Sequence, residues 1–201
     1  MKHQNVRSRL IDNTIRVIAD NGLDKTTTKA IVSGTDINEA YIYFHFKNKE
    51  DLFAKVFERL DDELVKEAMK QMSVIYMQEL EYELRWRVFF FAVWKFLLGN
   101  KEKCVTFVRY YYSPYFAKYS LEEHVKRYRP LVERFSDFFK DEADVWMILN
   151  HILNVMLDFA LKVHNGQMPA DDDYAEHVFR VVYRSVEQYF KQQEKESERA
   201  E

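Results

Sequence analysis

The side chains best suited to meet a partner lie between Thr26 and Lys49. Thr28, Lys29, Glu39, Tyr41, Tyr43, His45 and Lys49 fall within 22 residues, set among Ile31, Ile37, Ile42 and Phe46. Threonine and tyrosine hydroxyls and a lysine ammonium suit phosphate oxygens. A tyrosine ring offers a flat apolar face to a thymine methyl. A glutamate can accept a hydrogen bond from cytosine N4. Phosphate contacts position a protein on a duplex, and base-edge contacts specify the sequence.

Such groups must stand on a short helix that is exposed on one side and pinned on the other. Ser8 to Asn21 carries Leu10, Ile11, Thr14, Ile15, Ile18 and Ala19 at spacings of three and four, which predicts an amphipathic helix. Gly22 stops it, since glycine takes a positive φ at little cost. Thr27 is placed as the N-cap of a short second helix running to Gly34, and Asn38 as the N-cap of a third running to about Phe44. Asp36 is assigned to the turn between them, a position that tolerates the left-handed region. Ile37 and Ile42 pin the third helix against Ile15, Ile18 and Ile31. Glu39, Ala40, Tyr41 and Tyr43 then face outward, with Lys29 nearby and with Thr28, His45 and Lys49 flanking. A fourth helix begins near Asn48 and buries Leu52, Phe53, Val56, Phe57, Leu60 and Leu64. The bland alternative is three small helices that merely cap a core, with Tyr43 and Phe46 buried.

Catalytic chemistry has no comparable support. No glycine-rich phosphate loop, nucleophile elbow or zinc-protease helix is present. Cys104 with His124 or His151 lacks any supporting spacing, and His151, His164 and His177 are too dispersed for a local metal motif. The expectation is a non-enzyme without metal or cofactor.

Composition agrees with a helical protein. Of 201 residues, 47% are hydrophobic and 16% aromatic, and only four glycines and three prolines interrupt the chain. A single cysteine excludes an internal disulfide framework and fits a reducing cytoplasm. No continuous apolar run reaches the roughly 18 residues of a membrane span, and the first seven residues do not read as a secretion signal. Up to Lys49 there are eight Lys or Arg against five Asp or Glu, a net +3, which leaves −6 for the remainder of a chain whose net charge is −3. A basic head on an acidic body suits a head that meets phosphate, although the excess is small.

Further helices are predicted at 77–98, 101–112, 121–139 (with Pro130 kinking it or starting a new one), 143–164 and 173–192. The last two carry apolar residues most of the way round, which demands burial on more than one side. A four-helix dimer interface and a monomer with both helices central in its own core both meet that demand. The aromatic residues from Trp86 to Phe116 can wall a cavity for an apolar or aromatic ligand, with Trp86, Phe90, Trp94, Tyr111 and Tyr115 as candidates, or can simply be core. Glu79, Glu81 and Glu83 could greet a cationic ligand or form a solvated face.

From Leu10 to Leu52 the sequence resembles the DNA-binding region of the tetracycline-repressor (TetR) family. The matching elements are the first helix closed by Gly22, Thr27-Thr28, Ile31, Ile37, Ile42-Tyr43, His45-Phe46 and Lys49-Glu50 before Leu52. Thr35, Asp36, Ala40 and Val32 depart from residues common in the family. The resemblance implies an all-α fold: an N-terminal three-helix helix-turn-helix domain over 1–48, a helical ligand-binding and dimerisation domain over 49–192, and a disordered tail over 193–201. It implies a cytoplasmic homodimeric regulator, with no membrane partner, released from a palindromic operator in double-stranded DNA by a small-molecule effector. Thr28, Lys29, Asn38, Glu39, Ala40, Tyr41, Tyr43, His45 and Lys49 form the DNA-facing set. Glu39 either accepts from cytosine N4, or is merely solvated or repels non-cognate DNA. The alternative function is a helical protein-interaction module whose small head does not bind DNA.

Overall fold

A computed structural model of the protein describes residues 6–191; the expected tail, the first five residues and the expected last residue of the final helix lie outside that range. Among the described residues the order is α1 (Val6–Asn21), α2 (Thr28–Val32), α3 (Ala40–His45), α4 (Lys49–Ile75), α5 (Tyr82–Leu98), α6 (Lys101–Tyr111), α7 (Pro114–Tyr119), α8 (Leu121–Phe135), α9 (Val145–His164) and α10 (Asp172–Val186), followed by a single 3-10 turn, Glu187–Tyr189.

The head closes on local signals. Leu10, Ile11, Ile15 and Ile18 of α1 are buried with Ile31, Ile37, Ile42 and Phe46. Gly22 ends α1 at φ 81°, its N–H donating to Ile18 O at 2.9 Å. Thr27 Oγ1 accepts from Ala30 N at 3.1 Å and Asn48 Oδ1 accepts from Asp51 N at 2.8 Å, so both cap the helices they precede. Asn38 Oδ1 accepts from Ala40 N at 2.9 Å, but α3 itself starts at Ala40, so Glu39 and not Asn38 holds the N-cap position. The left-handed position in the turn belongs to Gly34, at φ 72°, not to Asp36. Asp36 instead accepts from Arg9 of α1, closing the turn onto the first helix.

The head meets the body through α4 and through α6. α4 continues from the head through 27 residues, about 40 Å at the α-helical rise. Arg59 of α4 pairs with Asp12 of α1, and α1 also rests on α6: Thr106 Oγ1 donates to Ile15 O at 2.7 Å, and Arg109 donates to Ile18 O and Ala19 O. Arg109 thus meets the last-turn carbonyls at the negative dipole end of α1, sharing Ile18 O with the Gly22 N–H.

In the body, α5 starts at Tyr82, not near Met77, because residues 76–81 form a turn in which Tyr76 Oη donates to Asp137 at 2.9 Å. Pro114 begins α7, a short helix absent from the sequence reading, where its missing N–H costs nothing. Pro130 lies inside α8 and does not start a new helix. The carbonyl it leaves without a partner is that of exposed Lys126, which water can reach. α8 ends at Phe135, and Phe139 instead forms a single antiparallel bridge with Phe190. α10 stops at Val186, short of the expected extent.

Of the described residues, only α9 is long and apolar enough to cross a membrane. It is no continuous apolar run, since it carries Asn150, His151, Asn154, Asp158 and Lys162. It packs on α5, α6, α8 and α10, as a central helix of a helical body would.

Candidate nucleic-acid interface and ligand cavity

The outward face of α3 is aromatic. Tyr41 is 48% exposed, Tyr43 60% and Phe44 79%, while Ile42 and Phe46 on the other side are fully or nearly fully buried. Of the bland alternative, Phe46 is buried but Tyr43 is not. Phe44, the most exposed of these aromatics, was not in the predicted set. Its signal was available: with Ile42 and Phe46 facing in, Phe44 cannot share their side of a six-residue helix. His45 lies between faces, stacked with Tyr41 at 6.5 Å and edge-on to Phe44 at 5.0 Å between ring centroids.

Around this face the predicted residues take distinct positions. Lys29, Asn38 and Ala40 are exposed, and Thr28, Glu39, His45 and Lys49 are half-buried. Lys49, the first residue of α4, carries its ammonium 5.5 Å from the Phe53 ring centroid. Thr28 donates its hydroxyl to Glu39, tying the start of α2 to the residue before α3. Arg9, hydrogen-bonded to Asp36, holds that carboxyl below its ordinary range.

The body holds an apolar cavity of about 90 Å³. Leu64, Val65 and Ala68 of α4 form one wall, and α5, α8, α9 and α10 close it, with Trp86, Phe90, Tyr128, Met156 and Phe179 among the lining residues. None of the lining side chains carries a charge. Burial pushes the Tyr183 phenol up to about 12, and burial, then the nearby Asp61 charge, raises Tyr128 well above the ordinary phenol value. Both therefore stay neutral. A larger hollow of about 310 Å³ between α4 and α7–α8 carries charges of both signs, with Lys47, Asp51, Lys55, Glu58, Glu123 and Arg127 on its walls beside Ala54, Phe57 and Tyr119.

The five candidate ligand residues do not converge. Trp86 and Phe90 line the apolar cavity. Trp94 stands behind it, stacked on Phe90 at 5.8 Å. Tyr111 belongs to a second aromatic group with Phe57, Phe107 and Phe116, and its hydroxyl donates to Asn150 at 3.2 Å. Tyr115 packs edge-on against Phe53. Glu79, Glu81 and Glu83 are exposed and line none of these walls. The cavity-lining residues that sequence reasoning missed come mainly from α4, α8, α9 and α10, whose convergence is a tertiary fact.

Three of the four histidines weighed for catalysis or metal binding have another partner: His124 meets Asp61, His151 Nε2 lies 3.0 Å from Ser185 Oγ, and His164 Nε2 lies 3.0 Å from Leu97 O. Cys104 is buried, and burial pushes its thiol up to about 12, which removes the thiolate a nucleophile needs.

A helix-turn-helix head on an all-helical body is the class this geometry defines. Residues 10–56 match the family model of bacterial regulatory proteins, tetR family. This segment, about a quarter of the chain, is what resembles that family in sequence. Over 53 residues it is 34% identical to the biofilm operon icaADBC HTH-type negative transcriptional regulator IcaR of Staphylococcus epidermidis, a stretch covering 26% of this chain and 29% of that protein. The match thus spans less than a third of that relative's length. The whole fold is similar to a TetR family transcription regulator from Marinobacter aquaeolei VT8 (TM-score 0.74, 14% identity, 92% of this chain and 96% of that one). It is also similar to the transcriptional regulator FadR of Bacillus subtilis, solved in complex with stearoyl-CoA (TM-score 0.66, 19% identity, 87% and 96% covered).

Proposed function

We propose that the protein is a cytoplasmic, homodimeric, sequence-specific DNA-binding regulator, and a repressor that leaves a palindromic operator when a small apolar or aromatic ligand enters its body. The observation that carries this reading is the outward aromatic face of α3, with Tyr41 and Tyr43 exposed above a buried Ile42. A short helix so pinned and so exposed fits a major groove, where Tyr41, Tyr43 and Ala40 meet base edges and sugar–phosphate. Lys29, Asn38, His45 and Lys49 flank that helix and hold the backbone, and Thr28 stands hydrogen-bonded to Glu39 beside it. Residues 1–48 then act as the head and 49–192 as the body.

Dimerisation falls to α9 and α10. Met147 on α9 and Val181 on α10 are each 54% exposed, and Leu149, Ile152, Val155 and Phe159 are covered only in part by their own chain. Two such helices from each of two chains form a four-helix interface. The two heads then need a separation of about 34–36 Å to enter successive major grooves. The ligand site is the apolar cavity, because α4 supplies one of its walls and also begins beside α3. A ligand that enlarges that cavity displaces α4 and, with it, the head. FadR's binding of stearoyl-CoA is support by analogy for an apolar effector.

Selection of bound duplexes from a random pool tests the reading. Enrichment of a two-fold symmetric site is the expected result; no enrichment at any salt concentration overturns it in favour of a head that meets protein.

A further inference from the structure

We infer that Glu39, held in place by Thr28, reads the amino group of a cytosine in each half-site. The inference rests on the proposed DNA-binding function and decides a role that the sequence leaves open.

Glu39 immediately precedes α3, the helix whose exposed face carries Tyr41 and Tyr43. Its Oε1 accepts the Thr28 hydroxyl, and no ion pair to Glu39 is formed among the described residues. Three consequences follow from elementary chemistry. First, a carboxylate without a paired cation, on a surface that would approach phosphate, is repelled unless it faces a donor. Second, the donors within a major groove are the amino groups of cytosine and adenine, and adenine places an acceptor, N7, beside its amino group, which a carboxylate cannot satisfy. Cytosine N4 is therefore the matching partner. Third, a free glutamate side chain samples many rotamers, and ordering it opposes any contact it makes. The Thr28 hydroxyl removes part of that cost before DNA arrives and leaves Oε2 as an acceptor. Ala40, exposed and small, leaves the approach beside Glu39 open.

Thr28 is then a positioning residue. Its hydroxyl proton goes to Glu39 and is not available for a phosphate, which reassigns the phosphate contact otherwise expected of it.

The test is random-pool selection on the full-length protein with Glu39→Gln, Thr28→Val and Thr28→Ser beside the unchanged chain, each checked for helix content. The unchanged chain should favour C over every other base at one position per half-site by roughly 10-fold or more. Glu39→Gln should turn that position toward adenine, because an amide pairs with N6 and N7 together. Thr28→Val should flatten preference at that position alone, and Thr28→Ser, which keeps the hydroxyl, should retain it. Enriched duplexes whose base preferences are the same for all four proteins would overturn the inference while leaving DNA binding intact. No enrichment for the unchanged chain would overturn the proposed function and this inference together. A variant that loses helix content is replaced by Glu39→Ala, for which the cytosine preference should disappear and its persistence counts against the inference.

Discussion

His124 Nδ1 lies 3.0 Å from both carboxylate oxygens of Asp61, and both side chains are sealed from solvent. Arg127 adds a third contact, its Nη1 2.6 Å from Asp61 Oδ2. The carboxylate belongs to α4 and its two partners to α8, so the longest helix among the described residues is fastened to the wall of the cavity by one buried acid. Tyr128, whose ring centroid is 4.3 Å from that of His124, lines the cavity itself.

Removing that acid should be costly. Asp61→Ala leaves the Arg127 and His124 donors without an acceptor inside the body, and breaking a buried pair from one side destabilises by about 3–5 kcal/mol. Arg127 retains some exposure, which places the expectation at the lower end, about 3 kcal/mol. Asp61→Asn keeps the shape and one acceptor oxygen and should cost less. Urea denaturation of the two variants checks the order; equal, small losses would mean that water reaches the site.

Lys49 should act without regard to sequence. Lys49→Ala removes a charge at the start of α4, so affinity should fall uniformly across duplexes and the slope of log affinity against log salt should shrink by about one. Binding to several duplexes over a salt series measures both. A loss confined to one duplex would place Lys49 at a base instead.

Tryptophan fluorescence separates the cavity from its surroundings. Trp86 lines the apolar hollow, whereas Trp94 stands behind Phe90. A ligand that dissociates DNA should therefore change the emission of the unaltered protein and of Trp94→Phe, and change it far less in Trp86→Phe. Truncating Phe90 to alanine should enlarge the hollow at a cost of about 3–5 kcal/mol in stability. A ligand response that survives in Trp86→Phe and vanishes in Trp94→Phe would move the site.

Alkaline pH should weaken the fold through Cys104. Its thiol is raised from 9.0 to about 12 by burial, so between those values the unfolded chain releases a proton that the folded chain keeps. The folded state then binds more protons, and stability falls as pH rises from about 9 toward 12. A thiol reagent at pH 8 should label Cys104 only after denaturation. Rapid labelling of the native protein would contradict the burial of this side chain.

The head was legible because its determinants are local. Gly22, Thr27 and Asn48 each act within four residues of themselves, and the isoleucines of α1 to α3 advertise their inward face by spacing alone. What escaped depended on distant partners. Asp36 looked like the left-handed residue of the turn, but Gly34 takes that conformation and Asp36 answers Arg9, 27 residues earlier. Met77 looked helical until Tyr76 found Asp137. Trp94, Tyr111 and Tyr115 share composition with Trp86 and Phe90, yet only the packing of α8 to α10 decides which rings border a hollow. Asp61 did leave a trace: it falls on the buried stripe of α4 beside Leu60 and Leu64, where a lone acid requires partners.

The central claim is that two copies of α3 engage one duplex. Titration of an enriched duplex with the protein, followed by anisotropy at several salt concentrations and by sedimentation of the complex, addresses it directly. The account predicts two chains, or a multiple of two, per duplex and an affinity that falls steeply with salt. A single chain per duplex, or binding indifferent to salt, would contradict it.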